Sequence, residues 1–215
     1  MNQARVSWQA QVARVVWGRM TARIGAYKSI QELRNAQAGR MLRPRVPRGM
    51  RREIVSAGGV PAEWLIPSEE TSGLLLYLHG GAWTLGYYQP HRWMARVLAG
   101  AAGLRALVLD YRLAQEQLRS YIGAADPRDP LVSPYYADLR GLPPLLIQVG
   151  GAEWLREDVE RFVPRAREAG VDVTLQVWPG MWHVWQMMAG WIPEADRAVA
   201  EVARFCRGRR DSEAQ

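Results

Sequence analysis

Two uninterrupted apolar runs separated by one helix-length segment constrain this chain more than any other feature. GLLLYLHGG (residues 73 to 81) ends in glycines, and RALVLDY begins about two dozen residues later. Short runs of this kind, bounded by turn signals, read as strands buried on both faces. Helical spacing from Arg92 to Ala102 lies between them. Strand, helix, strand points to a parallel sheet of the α/β class. The pattern continues with PPLLIQVGG as a strand, Arg156 to Ala169 as a helix, VDVTLQVWPG as a strand and Pro193 to Arg207 as a last helix.

Upstream, REIVSAGGVPAEWLIP reads as two strands joined by a glycine turn, an antiparallel hairpin at the sheet edge. From Trp8 onward, Trp8, Val12, Val15 or Val16, Met20 and Ile24 recur at helical spacing and define an amphipathic helix that must lean on the body, with a break near Gly25. Residues 1–45 are therefore read as a helical appendage to a domain over 46–215. At 215 residues the chain can bury one sizeable core.

The basic excess is +7, and Lys28 is the one lysine, so arginines carry it along the whole chain. Scattered arginine argues against nucleic-acid binding, which clusters its charge. The knots at Arg43, Arg45, Arg48, Arg51 and Arg52, and at Arg207, Arg209 and Arg210, read as solvated linker and tail. Cys206 has no partner for an internal disulfide, and the N-terminal segment lacks the unbroken apolar stretch of a signal peptide or membrane span. A cytoplasmic protein without stable membrane insertion is the expectation. Three separated histidines and one cysteine offer no zinc-type spacing, and no phosphate-cradling glycine loop precedes a helix with a lysine, so no metal or cofactor is expected.

Ligands of parallel α/β sheets bind beyond the carboxyl ends of the strands. Three such ends carry chemistry. His79-Gly80-Gly81-Ala82-Trp83 offers backbone amides with no side chain in the way, suited to a developing oxyanion; the plainer reading is a tight turn that needs glycine. Gly150-Gly151-Ala152-Glu153 places a carboxylate after a core strand, and Gly180-Met181-Trp182-His183 places a histidine after the next. Neighbouring loops meet, so Glu153 would accept from one ring nitrogen of His183 and leave the other as a base. Glu157 and Asp158 compete for the role of acid. His79 reads as a loop brace and His91 as a residue near the start of a surface helix. Trp178, Trp182, Trp185 and Trp191 read as core or as walls of an acyl pocket.

YLHGGAW, LVLDYRLAQEQ, DPRDPLVSPYYADLRGLPPLLIQVGGAEWLRED and VDVTLQVWPGMWHVW together resemble the bacterial hormone-sensitive-lipase family of carboxylesterases, from about Ser7 to Arg207. The resemblance implies an α/β-hydrolase fold and hydrolysis of short to medium acyl esters, with a small apolar ester or acyl ligand as partner. It implies an oxyanion loop at Gly80, Gly81 and Ala82, Glu153 as acid, His183 as base, and N-terminal helices forming part of a lid. Ala82 stands where a third glycine is common.

In that family Tyr111-Arg112-Leu113 would be followed by a helix and then by a strand and turn bearing Gly-x-Ser-x-Gly. Here Gln117 runs directly into LRSYIGAADPRDP. By the family's spacing roughly a hundred residues, two central strands among them, are missing at 117–118, and the fold is truncated. None of Ser7, Ser29, Ser56, Ser68, Ser72, Ser120, Ser133 and Ser212 sits between glycines in a strand-to-helix elbow. Weak or lost activity is the expectation, with a non-catalytic binding protein or a non-functional deletion product as alternatives. Removing central strands leaves the sheet halves to pair directly, to gape or to recruit another chain, and bare edges invite a homo-oligomer.

Overall fold

The structure is a computed structural model and describes residues 6–22, 32, 49–68, 73–81, 89–111 and 124–213. Its elements in chain order are α1 (Trp8–Ala22), β1 (Met50–Ala57), β2 (Val60–Pro67), β3 (Leu74–Leu78), α2 (Gln89–Ala102), β4 (Arg105–Leu109), β5 (Leu145–Gly150), α3 (Arg156–Glu168), β6 (Val173–Trp178) and α4 (Pro193–Glu213). Single 3-10 turns occupy Pro134–Tyr136 and Trp185–Met188. Among the described residues no helix is long and apolar enough to cross a membrane.

The hairpin forms as its sequence requires. Gly58 and Gly59 take φ of 60° and 89°, the doubly left-handed turn that matches the twist of paired antiparallel strands. Ala57 then pairs with Val60, and the ladder runs back to Met50 opposite Pro67. β2 pairs antiparallel with β4, and β4 pairs parallel with β3, giving the order β1-β2-β4-β3. β5 and β6 pair parallel in a second, two-stranded sheet. No described ladder joins β3 to β5.

Helices bridge the two sheets instead. Trp93 and Met94 of α2 pack with Met181, Trp182 and Trp185 and with Ile192, Ala195, Ala198 and Val199 at the start of α4. Ala102, Leu104 and Ala203 close a smaller cluster further along. Leu65, Ala106 and Val108 fill the space between the first sheet and α2, where Ala95 and Ala99 leave room for close approach. Burying a side chain the size of Leu65 is worth about 1.5–3 kcal/mol. Glu63 is buried on the same sheet and is held by Arg52 at 2.5 Å and Arg92 at 2.9 Å, so its charge does not lie unpaired in the core.

Three readings of the sequence need correction. β3 is not covered on both faces: Leu74, Leu76 and Leu78 are each at least half exposed. A continuous apolar run reports that a strand suits burial, and here the described elements cover one face. α1 docks through Val6, Ala10, Ala13 and Trp17, while Trp8, Val12, Val15 and Val16 face outward. Small alanines let helix backbones approach closely, and that outweighs the larger apolar area of the valine face. His91 lies in the first turn of α2 as expected, yet it is buried. Of the segment read as lid, 1–45, the described part is 6–22 and residue 32. The junction at 117–118 and the break near Gly25 lie outside the described residues.

Candidate active site

The two loops after β5 and β6 are laced by their backbones. Gly151 N–H donates to Trp178 O at 2.7 Å, and Ala152 N–H donates to Met181 O at 2.9 Å. Such proximity demands glycine: a Cβ on Gly150 would collide with the Met181 carbonyl, and one on Gly151 would lie 3.1 Å from Trp178 O. The Gly150-Gly151 pair thus serves close approach between loops, a use of glycine that needs no unusual φ.

That lacing delivers Glu153 to His183. His183 Nδ1 lies 2.7 Å from Glu153 Oε1, while Glu153 Oε2 accepts the Gly150 N–H at 3.0 Å. Both carboxylate oxygens are therefore engaged, and the acid is 7% exposed. The imidazole is 51% exposed and turns its Nε2 away from the carboxylate. With Nδ1–H assigned to Glu153, Nε2 carries the free lone pair, the tautomer a base requires. Immediately after the histidine, Val184 adopts φ 55° and ψ 35°. A β-branched residue in the left-handed region costs about 1–3 kcal/mol, and strain of this kind collects where a side chain must be aimed.

Neighbours flank the pair. Along the chain the buried Met181 and Trp182 precede His183 and the buried Trp185 follows it. Trp154 stands outside, its ring 6.5 Å from the imidazole and tilted by 45°. Glu157 lies in the first turn of α3, is exposed and pairs with Arg161, and Asp158 forms no described bond to His183. Glu153 is the carboxylate that reaches the ring.

The glycine turn after β3 is braced from inside. His79 Nδ1 lies 2.8 Å from Gly80 O, its ring stacks on Tyr111 at 4.2 Å, and the Tyr111 hydroxyl donates to His79 O. Gly81 takes φ 137°, open to glycine alone among ordinary residues. His91 lies behind this turn, 3.2 Å from the Tyr77 hydroxyl. Burial, then the neighbouring His79, lower its pKa to about 4 against the support of Gly80 O. Tyr77, two residues before His79, packs into the cluster that holds Trp182 and Trp185, so the glycine turn and the histidine loop abut one apolar core. Ala82 lies outside the described residues.

The burial of His91 is the feature that sequence reading missed. Its signal was present: His91, Met94, Ala95 and Leu98 recur on one helical face. Among the described residues no cluster of three or more His, Cys, Asp or Glu could hold a metal ion.

A profile for the alpha/beta hydrolase fold matches residues 75–118 and 115–187, more than half of the chain. This chain belongs to the α/β-hydrolase fold family. Within the family it is of the bacterial hormone-sensitive-lipase type, as the motifs suggested. An esterase of that group superposes on the hydrolase-fold chain with TM-score 0.77 and 29% identity, over 85% of this chain and 92% of the other. An esterase/lipase from an uncultured bacterium shares the fold at TM-score 0.78 and 23% identity, over 85% and 92%. By sequence, an acetyl-hydrolase of Streptomyces hygroscopicus is 29% identical over 245 residues, covering 72% of this chain and 82% of that protein. A putative acetyl-hydrolase of Mycobacterium tuberculosis is 25% identical over 254 residues, covering 76% and 82%.

Proposed function

We propose that this hydrolase-fold chain descends from a carboxylic-ester hydrolase of short to medium acyl esters and retains the acid and base of its relay without the serine they would serve. The observation that carries the reading is the pair itself: Glu153 after β5 and His183 after β6, bonded at 2.7 Å through the ring nitrogen that fixes the tautomer. Gly80, Gly81 and Ala82 would be the oxyanion loop, by sequence resemblance.

Loss of the serine with its elbow has independent support. The acetyl-hydrolase alignment spans 245 positions, more than the 215 residues of this chain, and 72% of 215 is about 155, so about 90 positions stand opposite a gap here. The family profile matches in two segments that meet at 115–118, beside Gln117. β3 and β5 lie on either side of the break and belong to separate sheets. Of the described serines, Ser7 donates its hydroxyl to Glu194 and Ser68 to Gly49 O, and no described serine bonds to His183.

Removing a triad serine costs about 10⁶ in turnover, while binding and oxyanion contacts retain about 10³ to 10⁴ over water in an otherwise intact site. A serine-reactive fluorophosphonate should leave the purified protein unlabelled. Labelling at Ser120 or Ser133, with p-nitrophenyl butyrate turnover that the matching serine-to-alanine change abolishes, would overturn the reading.

A second reading, a non-catalytic protein that binds through its open sheet, is favoured by β3. Leu74, Leu76 and Leu78 line one exposed face, and LLLYL contains none of the charges or prolines that guard an edge. Antiparallel pairing of two copies about Leu76 would set Leu74 opposite Leu78 of the second copy and merge two apolar faces. Sedimentation should then show a dimer that Leu76→Lys dissociates; a monomer at all concentrations would refute it.

A further inference from the structure

We infer that His183 is itself a nucleophile toward activated esters, forming an acyl-imidazole on Nε2. The inference rests on the reading that no serine stands between this ring and a substrate. In a complete triad the base is covered by the hydroxyl it activates. Here the ring is 51% exposed while its partner carboxylate is 7% exposed, so the orienting group is sheltered while about half of the imidazole surface is open to solvent, with Nε2 on the ring edge that does not bond Glu153. The other two imidazoles cannot compete, since His79 and His91 are 2% and 4% exposed. The chain therefore presents a single accessible, oriented imidazole among its three histidines.

The arrangement supplies what imidazole catalysis needs. The Glu153 bond at 2.7 Å holds the ring in one tautomer with the Nε2 lone pair outward. Gly150 N–H holds the second carboxylate oxygen, so the acid cannot swing away when charge develops on the ring. Trp154 is 77% exposed beside the imidazole and offers an aromatic face to an aryl leaving group.

The steps balance without a cofactor. The Nε2 lone pair adds to the acyl carbon, and the bond from that carbon to the aryl oxygen breaks, releasing a phenolate. The product is an N-acyl imidazolium whose Nδ1 proton is shared with Glu153 Oε1 across the existing hydrogen bond. Water then adds to the acyl carbon, the Nε2–carbon bond breaks, and the acid departs as carboxylate with two protons released to solvent while neutral imidazole returns, so that the phenolate, the carboxylate and the two protons together account for the ester and the water. Because imidazole must leave in preference to the alcohol, esters with phenolate leaving groups react and alkyl esters do not.

The test compares p-nitrophenyl acetate with ethyl acetate on the whole protein. Expected are slow turnover of the aryl ester alone, a fall to the buffer rate in His183→Ala, and a fall of about tenfold in Glu153→Gln, whose amide cannot offset charge on the ring. Diethyl pyrocarbonate should modify one histidine and abolish turnover in parallel, and hydroxylamine should intercept the acyl group. Circular dichroism melting of each variant separates chemical loss from unfolding, since His183 is exposed and its truncation empties no core. Turnover unchanged in His183→Ala, or carbethoxylation that leaves turnover intact, would overturn the inference. Turnover lost instead in Ser120→Ala or Ser133→Ala, with fluorophosphonate labelling, would overturn the reading beneath it.

Discussion

Gly150→Ala is the sharpest mechanical test of how the candidate site is held. An added Cβ meets backbone and no flexible side chain: the Met181 carbonyl oxygen, the Met181 carbonyl carbon at 2.8 Å and the Trp182 oxygen at 3.0 Å. Since real Cβ atoms do not approach so closely, the β5 and β6 loops must separate. Separation stretches the Ala152 N–H to Met181 O bond at 2.9 Å and the Gly150 N–H to Glu153 Oε2 bond at 3.0 Å. Overpacking of this sort costs about 1–3 kcal/mol, and two weakened hydrogen bonds add about 1–2 kcal/mol. At about 2–4 °C per kcal/mol for a chain of this size, the melting temperature should drop by roughly 4–20 °C. Gly100→Ala is the matched control: nothing lies within 4 Å of its Cβ, it sits in helix α2, and alanine should stabilise by about 0.5–1 kcal/mol. Calorimetry reports the two shifts, and the imidazole resonances of His183 report whether Glu153 still holds the ring. A Gly150→Ala protein that melts with the parent and keeps the His183 signals unchanged would refute the argument from loop contact.

Other consequences follow from neighbouring sites. His91 has a folded pKa lowered to about 4 from 6.5, so the unfolded chain takes up its proton first as pH falls. Stability is therefore lost between about pH 6.5 and 4, by up to roughly 3 kcal/mol, and His91→Gln should flatten that slope in denaturant titrations. Ser7 caps α1 through its Oγ to the Ala10 N–H at 3.1 Å and clamps Glu194 through both N–H at 2.7 Å and O–H at 2.8 Å. Burial pushes the Glu194 carboxyl up, but the Ser7 bonds prevail and hold it below its usual value, so the clamp is present at neutral pH and weakens in acid. Ser7→Ala should cost about 1–2 kcal/mol and speed hydrogen exchange in α1; protection unchanged there would count against the clamp. Trp185→Ala empties the cluster joining α2 to α4 and should cost about 3–5 kcal/mol, read from urea midpoints at constant slope.

Much of the second half was legible in the sequence because its signals are local. A glycine-ended apolar run, a helix and another run specify β5, α3 and β6, and strand ends then place Glu153 and His183 without further information. What escaped depends on which partners are present. The leucines of β3 suit a covered strand, and no local pattern says that the described elements leave their outer face exposed. On α1 the valines carry more apolar area than Ala10 and Ala13, yet docking is decided by how near a partner helix can come. His91 was read onto a surface helix, although the periodicity of Met94, Ala95 and Leu98 already put it on the inner face.

The division of the strands into two sheets has a consequence for how the molecule comes apart. Every hydrogen bond of the Glu153–His183 relay lies within residues 150–183, on one side of the divide, while Gly80 and Gly81 ride on the other. The helix pair α2 and α4 is the joint between them, so loosening that joint would let the halves part company while the proton-handling half keeps its internal geometry. Amide protection should accordingly fall into two families of opening energies, with the relay reporting on its own half alone.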